Sequence, residues 1–289
     1  MHAKDLLAGL YRRVLQRPMR KVERPLIVWM VPLIGPAVSQ DWPKACALLD
    51  QTLASIRAAD YENWAVVLCC QQRPPNLPDD PRIHFLQVPD LALAKGISDH
   101  SEKVRRMTDY VVRTFEGPTY VSHLDADDLM HPDLPGFVAR DNNGRGYIVT
   151  QGYMMDWRSG RVAPLGQGQD QNSGQPFWMQ CGSCGYFAVD LGRQRWPGLY
   201  LRLIGKGHKS YMTRAARLGR PLEPVPFPAM IYLVNHGDNV QVRKGHDKLP
   251  TVERLALTDP EAEARVHEAF GLHKRPEAAQ GGLLEVVRR

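Results

Sequence analysis

No stretch of the sequence carries the roughly 18 consecutive apolar residues that a helix needs to cross a bilayer. The N-terminus has neither the apolar run nor the cleavage site of a secretory signal. Cysteine is scarce and odd in number: Cys46, Cys69, Cys70, Cys181 and Cys184, two of them adjacent inside an apolar run. That usage excludes a disulfide framework and reads as reduced thiols in a cytoplasmic protein. The single CxxC, "CGSC" at 181–184, has no second pair and does not read as a zinc site. No glycine-rich phosphate loop follows the first apolar run, where "VPLIGPAVSQDWP" stands, and there is no internal repeat. Basic residues are scattered rather than interleaved with aromatics, which argues against a nucleic-acid-binding module.

What is present is the composition of an ordinary globular protein, 43% hydrophobic and 24% charged over 289 residues, enough chain for a sizeable core. The net charge of +6 calls for an anionic partner without choosing among nucleotide phosphate, lipid and nucleic acid. Residues 1–24 read as a basic amphipathic helix, with Leu6, Leu7, Leu10, Val14 and Leu15 at helical spacing among Arg12, Arg13 and Arg17. Such a helix lies peripherally on an anionic membrane surface or packs on its own domain, and the spacing admits both.

From residue 25 strands alternate with helices. "LIVWMVPL" (26–33), "WAVVLCC" (64–70), "IHFLQV" (83–88) and "TYVSHL" (119–124) are short apolar runs of the kind that make buried strands. Apolar residues at 45, 48, 49, 53 and 56 predict a helix over 42–59, and "SEKVRRMTDYVVRTF" predicts another, capped from the Asp99–Ser101 region. This order implies parallel pairing with right-handed crossovers: an α/β, Rossmann-like, mostly parallel open sheet over residues 25–258. The less regular second half reads as a smaller acceptor-side portion. It holds a hairpin over 146–165, a helix over 208–219 and a last strand ending in "NHGDN". Residues 259–289 read as a helix and a loose tail.

Open α/β sheets bind ligands beyond the carboxyl ends of their strands. There, after the fourth run, stand Asp125, Asp127 and Asp128 in "HLDADDLMHPD". Two apart in extended chain, Asp125 and Asp127 point the same way and can share a divalent cation, Mg²⁺ or Mn²⁺, that keeps open positions for phosphate oxygens. Asp128 reads as a cap for the next helix. The loop is not an EF-hand, lacking its glycine and distal glutamate.

The succession of "VPLIG", "QTLASIRAADYENWAVVLCC" and a Lys/Arg-rich helix before "DADD" resembles the nucleotide-sugar half of a family-2-type glycosyltransferase with the GT-A fold, over roughly residues 26 to 240. "CGSCGYF" and "NHGDN" are similar to a bacterial subgroup carrying a rhamnosyltransferase label. The resemblance implies metal-dependent, inverting transfer from a nucleoside-diphosphate sugar to a saccharide or lipid-linked acceptor. It places Asp125, Ala126 and Asp127 at the Asp-X-Asp motif, with Asp125, Asp127 and His236 around the metal. Pro32, Cys70 and Gln71 would line the base and ribose pocket, although the family often has an acid where Gln71 stands. Lys95, Asp99 and Lys103 would meet nucleotide and phosphates, while Arg105 and Arg106 are equally a solvated helix face. Gly182 and Ser183 would face donor sugar and acceptor, with Trp178, Tyr186 and Trp196 available for stacking on sugar rings. The catalytic base falls on His208, ahead of Arg214 and Gly219, with Asp156 and Asp190 as the alternatives in another register. Other readings of the same residues are a metal-dependent nucleotidyltransferase and a non-catalytic basic binding module.

Overall fold

The computed structural model describes residues 9, 19–89, 99–166, 175–205, 207–238, 247–274 and 284–286. Most of residues 1–18 and of the polar loop at 167–175 lies outside the described residues, and the helix expected over 1–24 does not reach 19–24, which are irregular and lead into the first strand.

Four apolar runs pair as parallel strands: β1 (Leu26–Pro32), β2 (Trp64–Cys70), β3 (Ile83–Gln87) and β4 (Pro118–His123). Their order is β3-β2-β1-β4, so β4 lands on the far side of β1 from β2. The sheet continues through β9 (Gly185–Asp190), antiparallel to β4, to β6 (Gly146–Ile148) and β10 (Glu223–Pro224). Seven strands thus form one mostly parallel mixed sheet. β1 and β2 are apolar throughout because helices cover both faces, which leaves no solvent side to favour alternation.

A second sheet of four strands has the order β5 (Leu129–Met130), β11 (Met230–Val234), β7 (Gly152–Asp156), β8 (Val162–Leu165). The helix α1 (Trp42–Arg57) lies between the two sheets. Its Leu49, Leu53 and Ile56 join the main core, while Leu48 joins Leu129, Ile231 and Leu233 under the second sheet. Asp41 caps α1 by accepting from the Lys44 amide at 3.0 Å. α2 (His100–Thr114) packs on β1 and β2. After β5 come α3 (Asp133–Asp141), then α4 (Phe177–Gln180), α5 (Pro197–Ile204), a 3₁₀ turn at His208–Ser210 and α6 (Tyr211–Arg217). Gly219 closes α6 at φ +76, as its sequence position predicts. The short α7 (Leu249–Leu255) and α8 (Pro260–Ala269) follow.

Three expectations are corrected. Only β7 and β8 form the hairpin; Gly146–Ile148 belongs to the large sheet instead. After α8 the chain is not a loose tail throughout, because β12 (Leu272–Lys274) pairs antiparallel with β13 (Leu284–Val286). Asp99 does not cap α2 with its side chain; that carboxylate is used elsewhere.

β6 enters the sheet only because Gly146 takes φ +128, where a β-carbon would fall on the Tyr186 carbonyl oxygen and the Leu222 side chain. Gly146→Ala should therefore lower unfolding free energy by about 3 kcal/mol, measured by urea denaturation. Wild-type stability in that variant would contradict the β6–β9 pairing.

Candidate functional site

The strand order reverses between β1 and β4, so their carboxyl ends open a crevice. The register pairs Met30 with His123, and the Leu124 amide donates to the Met30 carbonyl at 3.1 Å. This brings Pro32 and Leu33 beside Leu124 and Asp125.

On the β1–β2 side a polar knot forms. Lys103 is 1% exposed, and an unpaired ammonium at that depth would cost several kcal/mol. Its Nζ donates to the Leu33 carbonyl at 2.6 Å and to Asp99 Oδ2 at 2.7 Å. Gln71 Nε2 donates to the same Asp99 oxygen at 2.7 Å. Burial would raise the Asp99 carboxyl, but the Lys103 and Gln71 hydrogen bonds outweigh it and hold the group below the usual range. Gly35 leaves room for Gln71, whose Oε1 would lie 2.5 Å from a β-carbon there. Gln71, Asp99 and Lys103 are thus brought together as expected, with Pro32 half-buried at the end of β1. Cys70 is not a surface of this pocket: it is fully buried, and its thiol meets the Ile34 carbonyl at 3.5 Å from beneath. Lys95 lies outside the described residues.

The acidic cluster is not extended. A turn closes it, with the Asp128 amide donating to the Asp125 carbonyl at 3.3 Å; Asp127 turns to His236, while Asp125 and Asp128 keep carboxylate oxygens within 4.8 Å of each other. Asp127 Oδ2 lies 2.7 Å from His236 Nε2. His236 is 3% exposed, and its Nδ1 is buried with no hydrogen-bond partner among the described residues. Its position is fixed from two sides. Asn235, at φ +64, donates from Nδ2 to Asp156 Oδ1 at 2.7 Å, and Asp238 accepts from the Ser39 hydroxyl at 2.5 Å and the Gln40 amide at 2.9 Å. The "NHGDN" turn is thereby tied to the loop after β1.

Asp125 is half-buried beside the 181–184 loop. Its carboxyl is raised by burial and by Asp127, with His100 and His208 opposing. A β-carbon on Gly182 would lie 3.5 Å from Asp125 Oδ2 and 3.9 Å from His208 Cδ2, so the carboxylate and the imidazole flank the same bare glycine. His208 Nδ1 lies 2.6 Å from the Trp178 carbonyl. A carbonyl only accepts, so Nδ1 carries the proton and the neutral ring keeps its lone pair on Nε2.

Asp128 is not a helix cap; Pro132 occupies that position for α3. Its carboxyl is wholly buried and accepts from the Ser183 hydroxyl at 2.5 Å, the Cys181 thiol at 2.9 Å and the Leu233 amide at 3.3 Å. Burial, then Asp127 and Asp125, push it well above the carboxylate range. Ser183 Oγ in turn accepts from the Asp125 amide at 2.9 Å. Ser183 therefore holds the acidic turn from behind and does not face a ligand. Asp125, Asp128 and Cys181 form the one trio of metal-competent ligand atoms within 4.8 Å of one another among the described residues.

The alternative bases are engaged elsewhere. Asp156 accepts from Asn235 and from the Ser159 amide and hydroxyl. Asp190 sits at the opposite rim, paired with Pro118 across the sheet and with Arg20 at 2.7 Å. Tyr186 is buried, accepting from Trp29 Nε1 at 3.2 Å, and Trp196 leaves β9 at that opposite rim, so neither stacks on a ligand at the crevice. Arg105 and Arg106 pair with Glu102 on the helix surface. Residues the sequence reading passed over are His100, whose charge reaches Asp125, and Asp238. For His100 the available signal was adjacency to Asp99.

Behind the acids, buried His123 shares a hydrogen bond of 2.9 Å between Nδ1 and the Tyr211 hydroxyl. Burial, then the charge of His100, push its pKa down to about 3. The folded ring stays neutral, whereas the unfolded chain takes up a proton near pH 6.5. Falling pH from about 6.5 towards 3 should thus cost stability, by up to about 1.4 kcal/mol per unit. His123→Asn should flatten this part of the urea-midpoint profile, and an unchanged slope would show that another group carries it.

Comparison with known proteins finds no family model that matches this chain and no match among curated proteins.

Proposed function

We propose that this protein is a glycosyltransferase of the GT-A type, moving a sugar from a nucleoside-diphosphate donor to the hydroxyl of a saccharide or lipid-linked acceptor. The observation that carries the reading is the meeting of Asp127 with His236, 109 residues apart, at the carboxyl end of β4. A carboxylate and an imidazole in contact are an oxygen and nitrogen donor pair suited to Mn²⁺ and acceptable to Mg²⁺, while Asp125 gathers with Asp128 and Cys181 and not with this pair. Asp127 and His236 would hold the ion, with Asp125 towards the ribose or a bound water. When bound, such an ion offsets the charge of a departing diphosphate.

The chain's own residues supply the remaining roles. Gln71 and Asp99, fixed by Lys103, form the wall of a base and ribose pocket beside Pro32, and Ala126 lies on the turn between the two acids. Gly182 keeps a gap open where donor and acceptor meet. His208 Nε2 takes the proton of the acceptor hydroxyl as its oxygen bonds to the anomeric carbon and the diphosphate leaves, so the configuration inverts. The Trp178 carbonyl holds the tautomer this requires, as buried partners commonly do for catalytic imidazoles. The sheet order and the antiparallel β9 after the Asp-X-Asp turn support the same reading.

Binding and hydrolysis of UDP-, GDP-, dTDP- and CMP-sugars with and without Mn²⁺ test it. One of these donors should bind in a metal-dependent manner, and Asp127→Ala should abolish that binding. His208→Gln should keep donor binding and lower kcat by about 10²- to 10⁴-fold. Absence of metal-dependent binding for every donor would defeat the reading, and unchanged turnover in His208→Gln would remove the base.

A further inference from the structure

From Leu191 to Leu222 the chain contains no Asp or Glu and eight Lys or Arg residues. Residues 6–22 are a second acid-free stretch, with Arg12, Arg13, Arg17, Arg20 and Lys21. The Leu191–Leu222 segment spans α5 and α6. Of the three large hydrophobic side chains exposed among the described residues, it carries two, Trp196 at 61% and Met212 at 37%.

Trp196 is held out by its backbone. It takes φ +57, ψ +54 immediately before Pro197, a left-handed conformation disfavoured for a bulky aromatic. The turn is fixed around it: the Gln194 amide donates to the Asp190 carbonyl at 2.8 Å, and the Leu199 amide to the Trp196 carbonyl at 3.0 Å. Asp190 itself is anchored by Arg20. A strained backbone that exposes an indole, with exposed Arg193 and Arg195 on its approach, has no explanation in the packing of the fold.

We propose that this face docks on an anionic lipid surface, with Trp196 at the headgroup boundary and Arg193 and Arg195 over the lipid charge. Tryptophan partitions to that boundary because its ring is apolar while its N–H is wet, and juxtaposed arginines add attraction to anionic headgroups. A nucleic-acid strand fits less well, since it needs several exposed aromatics for successive bases and this segment offers one. This face lies at the rim opposite the acidic turn, so the docking stands independently of the transferase reading.

The test is co-sedimentation of the full chain with vesicles of phosphatidylcholine alone or with about one-third phosphatidylglycerol, the mixture whose charge the arginines would meet. Binding is expected on the anionic vesicles only and should weaken with salt. Replacing both arginines (R193E/R195E) should weaken it about 30-fold or more, and Trp196→Ala about tenfold. All three substitutions should leave metal-dependent donor binding unchanged, which separates failure here from failure of the transferase reading. Arg12, Arg13 and Arg17 provide the control: loss of binding on reversing those charges alone, with R193E/R195E at wild-type level, would overturn the proposal. So would equal binding to both vesicle types, or a dimer of the chain that Trp196→Ala dissolves.

Discussion

The arrangement at the carboxyl rim depends on one buried carboxyl group. Asp128 joins three separate parts of the chain: the turn after β4, the Cys181–Ser183 loop and the backbone of β11 at Leu233. Burying an ionised carboxylate without compensation is so costly that the group either pairs or keeps its proton. Here it has three donors, and its neighbours Asp125 and Asp127 push it towards the protonated form. Asp127 is met by His236, and Asp125 stays beside Asp128 and Cys181. Through Ser183 the Asp128 carboxyl sets the Asp125 amide, and through Leu233 it sets β11, which leads into the turn that carries His236.

A second constraint acts on the other wall. Lys103 reaches from α2 to the end of β1, and Asp99 both neutralises it and orients Gln71. Buried ion pairs rarely add stability over apolar packing of equal volume, so their retention points to specificity of shape. This pair fixes the first turn of α2 against two strand ends at once. The crevice walls are therefore held by polar contacts on both sides, with Gly35 making room for the Gln71 side chain and Gly182 leaving space between Asp125 and His208.

Much of the fold was legible in the sequence, because β1 and β2 are continuous apolar runs and α1 and α2 have clear helical spacing. The pairing of Asp127 with His236 was reached through the resemblance, not through spacing. What was misread had a physical reason in each case. Asp128 was given to a cap because a carboxylate is ordinarily exposed, and nothing local in "DADD" announces the distant Ser183, Cys181 and Leu233. Asp99 looked like a cap for the same local reason, but a buried lysine four residues on competes for it more strongly than an amide does. Cys70 followed from its place at a strand end, yet full burial of β2 leaves its thiol under the rim. The sequence treated Asp125 and Asp127 as a pair on one face, and the turn through Ala126 sends them to different partners.

Charge also divides by location. The anion-binding chemistry of the crevice falls to few cations, since Lys103 is spent on Asp99 and Leu33. Positive charge gathers instead in two places, residues 6–22 and Leu191–Leu222, neither with an acid of its own. Composition alone could not separate a small anionic ligand from an extended anionic surface. Within Leu191–Leu222, Arg193 and Arg195 are exposed, Arg202 pairs with Asp109 and Arg220 is buried, so only part of its charge faces solvent.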